Sequence, residues 1–142
     1  MRAGEVRAVR CRTAAGPVPR LWEPLAAKHA PPNGYAAKFS LPYLVAVILV
    51  KGRAGLAEFE DAAVRDPDVL ALAGRVSYEL DPAIDYPRQF VGDVEVTLAD
   101  GRVLRERQDR PRAAPTRRSR ARSWRRSSGA MPPRWPQRAW TA

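Results

Sequence analysis

Lys38, Ser40 and Tyr43 are three polar side chains close together whose types and spacing could hold an anion. They lie in the stretch Gly34-Tyr35-Ala36-Ala37-Lys38-Phe39-Ser40-Leu41-Pro42-Tyr43. It starts as a polar, glycine-containing loop and runs into Leu44-Val45-Ala46-Val47-Ile48-Leu49-Val50, the most apolar run of the chain. Ser40 reads as an N-cap, its hydroxyl accepting a free backbone N–H of the first turn. Pro42 falls in that turn, where its missing N–H costs little. Polar groups at a helix N-terminus favour anionic ligands. The plainer reading is a capped core helix with a tyrosine at its rim, and it accounts for the same residues.

Other chemistries have little to draw on. Cys11 is the sole cysteine, which excludes an intrachain disulfide and a thiolate metal cluster. His29 is the sole histidine, so a Ser-His-Asp triad or a multi-histidine metal site has no support, and it reads as an exposed loop residue. Residues 1–13 lack the apolar stretch of a signal peptide. The run Leu41 to Val50 falls short of the roughly 20 apolar residues that span a bilayer. The expectation is a cytoplasmic protein with no membrane contact.

Those residues need a scaffold, and the chain supplies its elements in order. Glu5 to Arg12 reads as a strand with one polar face. A long loop follows, punctuated by Pro17, Pro19, Pro24, Pro31 and Pro32, with one helical turn at Leu25 to Lys28. The central helix runs from Leu41 to Val50 and stops at Lys51-Gly52. Its apolar residues go nearly all round, which predicts burial on more than one side. A short helix is expected over Leu56 to Phe59. Another opens with Asp66 as N-cap and Pro67 at its first position, and ends at Gly74. Val76 to Leu80 alternates as a strand. Asp93 to Leu98 and Arg102 to Glu106 form a hairpin around Ala99-Asp100-Gly101. This order predicts an α+β fold, a small and mostly antiparallel sheet packed on two or three helices, over residues 1–109. A domain of that size buries a modest share of its surface and gains from a neighbour.

The net charge of +10 belongs to the remainder. Residues 1–109 carry 15 basic and 15 acidic side chains, whereas residues 110–142 carry 10 arginines and no acid. That segment also holds Pro111, Pro115, Pro132, Pro133, Pro136, Trp124, Trp135 and Trp140. At face value it is a disordered basic arm able to bind phosphate backbones nonspecifically. A composition rich in Arg, Ala, Pro, Ser and Trp without acids is also what a GC-rich coding sequence gives out of frame. Back-translation of Ala113 to Pro132 with one consistent codon choice, read one base upstream, gives GPDAPLSRAELEAKFRGNA. This contains a serine N-cap with glutamate three residues on and a mixed-charge amphipathic helix. The tail thus reads as a frameshift product, with a small nucleic-acid-binding protein as the alternative.

The body resembles the C-terminal domain of the MmgE/PrpD family, which contains 2-methylcitrate dehydratase and cis-aconitate decarboxylase. The resemblance rests on Gly34 to Ala46, Gly55-Leu56, Asp66-Pro67-Asp68-Val69 and the hairpin Val94 to Gly101, in that order and spacing. It covers about residues 4–109, and the recovered frame is similar to the family's continuation. It implies a lid that closes over a larger helical N-terminal domain, with a small di- or tricarboxylic acid between them. It implies loss of water or carbon dioxide without a metal or other cofactor, and a possible homodimer. By the same resemblance Tyr43 matches a tyrosine facing the active site and could donate a proton or hydrogen bond to a carboxylate. Lys38 could supply positive charge, with Ser40 on the same loop. The helical domain is absent from this sequence, so the chain is expected to be a severed lid, inactive alone.

Overall fold

A computed structural model describes residues 1–110. The expectations for the Arg-rich segment from residue 111 onward lie outside the described residues. Four strands form one sheet in the order β2-β1-β3-β4. β1 (Val6–Thr13) pairs in parallel with β2 (Val76–Leu80), with Val9 opposite Val76 and Cys11 opposite Tyr78. Its other edge pairs antiparallel with β3 (Gly92–Leu98), which turns into β4 (Val103–Gln108). Two of the three pairings are antiparallel, as the sequence predicts. The parallel pair follows from the helical crossover between β1 and β2. Gly101 closes the hairpin at φ +87°, a conformation glycine adopts without a Cβ penalty. A bulge between Val6 and Ala8 shifts the register, so Val6 and Val9, three apart, are both fully buried.

The described residues form five α-helices: α1 (Val18–Leu21), α2 (Leu25–His29), α3 (Gly34–Ala37), α4 (Leu41–Lys51) and α5 (Pro67–Ala73). Single 3₁₀ turns cover Leu56–Phe59 and Ala63–Arg65. α4 ends on Gly52 at φ +76°, the left-handed cap its sequence calls for. Asp66 caps α5 by accepting from Asp68 and Val69. It also pairs with Lys51 in the last turn of α4, which ties the two helices together. The core joins Val6, Val9, Val76, Val96 and Leu104 of the sheet to Tyr43, Val47, Val69 and Leu72 of α4 and α5. Each such aliphatic side chain contributes about 1.5–3 kcal/mol by leaving water.

Two short helices replace expected loop. α1 starts among prolines that suit a first turn, and Asn33 caps α3 by accepting from the Ala36 N–H at 2.8 Å. Neither is long enough to show apolar periodicity, so their signal lies in the caps. The sheet's second face is a ladder of alternating charge, Glu79 opposite Arg12, Arg12 opposite Asp93, and Asp93 opposite Arg107. Asp93 is 2% exposed and takes two bonds from Arg105, at 2.9 and 2.6 Å, and one from Arg107 at 3.2 Å. Among the described residues no helix is long and apolar enough to cross a membrane.

Candidate functional site

The three residues of the capped stretch part company in the fold. Ser40 is buried, and its hydroxyl is used twice. It accepts from the Tyr43 N–H at 3.1 Å and donates to the Lys28 carbonyl at 2.5 Å. Tyr43 is fully buried, its hydroxyl donating to the Glu58 carbonyl at 2.7 Å and its ring meeting Phe59 edge-on. Burial, with the charges of Asp66 and Glu58, raises its pKa and keeps the phenol protonated. It is therefore a committed donor inside the domain, and in this arrangement it does not reach a ligand surface. Lys38 alone is exposed, and its ammonium has no hydrogen-bond or ion-pair partner among the described residues. The rim tyrosine of the sequence reading thus belongs to the core, because the 3₁₀ turn at Leu56–Phe59 folds back over the start of α4.

Several residues the sequence did not single out hold the loop around Lys38. Lys28 donates to the carbonyls of Arg20 and Phe39, both at 2.7 Å, and so clamps the end of α1 to the end of the Lys38 loop. The Arg20 guanidinium lies 4.8 Å from the centre of the Phe39 ring, and the Tyr35 ring meets Phe39 edge-on at 5.3 Å. Glu23 takes the Tyr78 hydroxyl at 2.6 Å and the Leu25 N–H at 3.0 Å, fixing α2 to β2. His29 is half-buried, not exposed as expected. Its Nε2 donates to the Val76 carbonyl at 2.8 Å, since a carbonyl only accepts, and so covers the outer edge of β2. The proline-punctuated segment is thereby fastened to the sheet at several points.

Gly34 is held more tightly still. Its N–H donates to Asp61 at 2.8 Å, and a Cβ there would sit 1.7 Å from the Phe59 carbonyl oxygen. Only a glycine permits that approach. Glu58 is buried and takes the Gly55 N–H at 2.8 Å and Arg53 Nε at 2.7 Å. The Gly55 bond and the Arg53 guanidinium outweigh burial and hold its carboxyl below the usual range. Its carboxylate is thus fully engaged in shaping the turn that receives the Tyr43 hydroxyl. Cys11, buried in the sheet, has its thiol pushed up to about 12, chiefly by burial, so it is not a nucleophile at neutral pH.

What faces solvent is a rim built on this fastened loop: Lys38, Arg20 over Phe39, and the exposed Tyr35. Two cations, Lys38 on the loop and Arg20 in α1, without carboxylate partners among the described residues suit an anionic small molecule. The MmgE/PrpD C-terminal domain family matches residues 1–123. The chain belongs to the MmgE/PrpD family. The matched residues include all four strands of the sheet and the Lys38-to-Tyr43 stretch. A 2-methylcitrate dehydratase of Cupriavidus necator is 43% identical over 72 residues, 46% of this chain and 15% of that protein. The chain thus corresponds to a small part of the length of the curated relative it matches.

Proposed function

We propose that this domain is the lid half of a hydro-lyase site of the 2-methylcitrate dehydratase type, acting on a small di- or tricarboxylic acid. The other half is a helical domain lying outside this sequence, and chemistry waits on it. The observation that carries this reading is the rim on a domain of this family, where Arg20 lies over the Phe39 ring, the exposed Lys38 precedes Phe39 in the chain, and neither cation has a carboxylate partner among the described residues. In it, Lys38 and Arg20 neutralise substrate carboxylates. The acid–base groups that take the α-proton and release hydroxide as water come from the other domain. Tyr43 and Ser40 act as positioning residues: the bond from Tyr43 to Glu58 and the bond from Ser40 to Lys28 hold the Lys38 loop in place. A phenol buried in this way would have to break its bond to Glu58 before it could donate to a substrate.

The reading extends to the tail. The acid-free composition from Arg110 onward and the recovered frame GPDAPLSRAELEAKFRGNA support a frameshift near residue 112, with the domain proper ending at about residue 109. Sequencing the locus tests this, and an intact frame that encodes residues 113–142 in near relatives overturns it.

The function is tested by mixing the chain with the helical portion of the Cupriavidus necator relative and following 2-methylcitrate dehydration through the ultraviolet absorbance of the conjugated acid. Dehydration is expected only with both parts. Lys38→Ala and Arg20→Ala should each raise KM about tenfold, the loss of one charge-assisted contact. No dehydration by a mixture shown to associate, or KM unchanged in both variants, refutes the reading.

A further inference from the structure

The fold uses the Lys28 ammonium as a strut, yet nothing among the described residues balances its charge. Its Nζ donates to the Arg20 and Phe39 carbonyls, both at 2.7 Å. An ammonium carries three N–H donors, so one is left over. No described residue accepts it, and no described carboxylate lies within ion-pair distance of Nζ. Glu23, the acid nearest to it in the chain, spends its carboxylate on the Leu25 N–H at 3.0 Å and the Tyr78 hydroxyl at 2.6 Å. Lys28 is also half-buried. A partly desolvated cation is ordinarily balanced by an anion, and this one bonds only two neutral carbonyls.

Those two carbonyls place the ammonium. They belong to the two residues of the cation–π contact, in which the Arg20 guanidinium lies 4.8 Å from the centre of the Phe39 ring. Lys38 immediately precedes Phe39. Three cations therefore gather about Phe39: Arg20 on its ring, Lys28 on its carbonyl and Lys38 at the preceding position. They differ in freedom. Lys38 is exposed and without a partner among the described residues, so an anion must order it on binding. Lys28 is already ordered. Two bonds hold its head, and its own carbonyl takes the Ser40 hydroxyl at 2.5 Å. α2 beneath it is anchored at its start through Glu23 to Tyr78, and at its end through His29 to the Val76 carbonyl at 2.8 Å.

We propose that Lys28 is the preorganised anion contact of this rim. It gives its third N–H to one carboxylate of a small polycarboxylate whose other carboxylates meet Arg20 and Lys38. The identity of the ligand rests on the hydro-lyase reading above, whereas its place rests on the three cations alone. One ammonium then serves twice. Two of its bonds keep Arg20 and Phe39 together, and the third is a charge-assisted bond to the ligand that needs no further ordering of the side chain.

Citrate is the probe. It is titrated into the full 142-residue chain, isotope-labelled and followed by NMR through the lysine CεH2 and arginine NεH signals. Reading single residues separates the rim from the arginines that follow it in the tail. The signals of Lys28, Arg20 and Lys38 should move together and saturate, and acetate, with one carboxylate, should need a concentration at least about tenfold higher. Lys28→Met keeps the apolar stem and removes the ammonium, and should weaken citrate by at least about tenfold. In the Arg20→Ala chain the same substitution should still weaken citrate by at least about threefold, since a strut acting only through Arg20 would add nothing there. The proposal is overturned by a Lys28 signal that stays in place while that of Arg20 saturates, by acetate binding as well as citrate, by no saturable shift up to about 50 mM citrate, or by no added loss in the Arg20→Ala chain. Should Lys28→Met not fold, the titration of the unaltered chain decides alone. Saturation at the three cations with no dehydration in the mixed-domain assay would overturn the hydro-lyase reading and leave the anion site standing.

Discussion

Replacing Tyr43 by phenylalanine separates a positioning tyrosine from a proton donor. The ring keeps its contact with Phe59, so little packing changes. What is lost is the 2.7 Å hydrogen bond to the Glu58 carbonyl, in a side chain with no exposure. The carbonyl is left without that donor, and an unsatisfied buried group costs about 1–3 kcal/mol. At about 2 kcal/mol, and roughly 4 °C per kcal/mol for a domain of this size, Tm should fall by about 8 °C. Circular-dichroism melts of the full chain measure it. The functional half uses the mixed-domain assay, well below the Tm of the variant. A positioning residue leaves kcat within about threefold, whereas loss of a general acid costs about 10²–10⁴. The reasoning fails if Tm moves by less than about 2 °C. It fails equally if kcat drops a hundredfold or more while the fold is intact, since Tyr43 would then be giving its proton to substrate.

Two further perturbations follow from the same contacts. Burial raises the Asp93 carboxyl, but the Arg105 hydrogen bonds and the charges of Arg105, Arg107 and Arg12 outweigh it and hold it below the ordinary range. Its stabilisation is therefore fully present above the unfolded-state value near 3.9 and is lost as pH falls through the lower folded value. Asp93→Asn should cost about 3 kcal/mol at pH 7, the low end for a broken buried pair because Arg105 and Arg107 are each 39% exposed. It should also flatten the acid limb of a Tm-versus-pH curve, and an unchanged limb would show that Asp93 does not set it. Gly34→Ala places a methyl group against the Phe59 backbone and should destabilise by at least about 2 kcal/mol. A urea midpoint equal to that of the parent would mean that α3 and the 3₁₀ turn are not in contact.

Much of the scaffold was legible because its signals are local. Ser40 with Pro42, Asp66 with Pro67, Lys51-Gly52 and Asp100-Gly101 each set a boundary through groups within a few residues of one another, and the structure has helix ends and a turn at those places. Alternation gave the strands, because period 2 is a property of the backbone itself. The short helices α1 and α3 escaped because a single turn is too brief to show a period.

The candidate site was legible only in part. The sequence alone determined that Lys38, Ser40 and Tyr43 lie at the start of a buried helix. Only the tertiary structure decided which of them meets solvent. Tyr43 goes inward because its hydroxyl finds the Glu58 carbonyl, 15 positions along the chain. Lys28 clamps Arg20 to Phe39, and His29 covers Val76, 47 positions away. The sequence held no sign of Asp93 under its arginines, since strand pairing brings them together. A buried polar atom must find a partner wherever the fold places one, and no spacing rule records partners that distant.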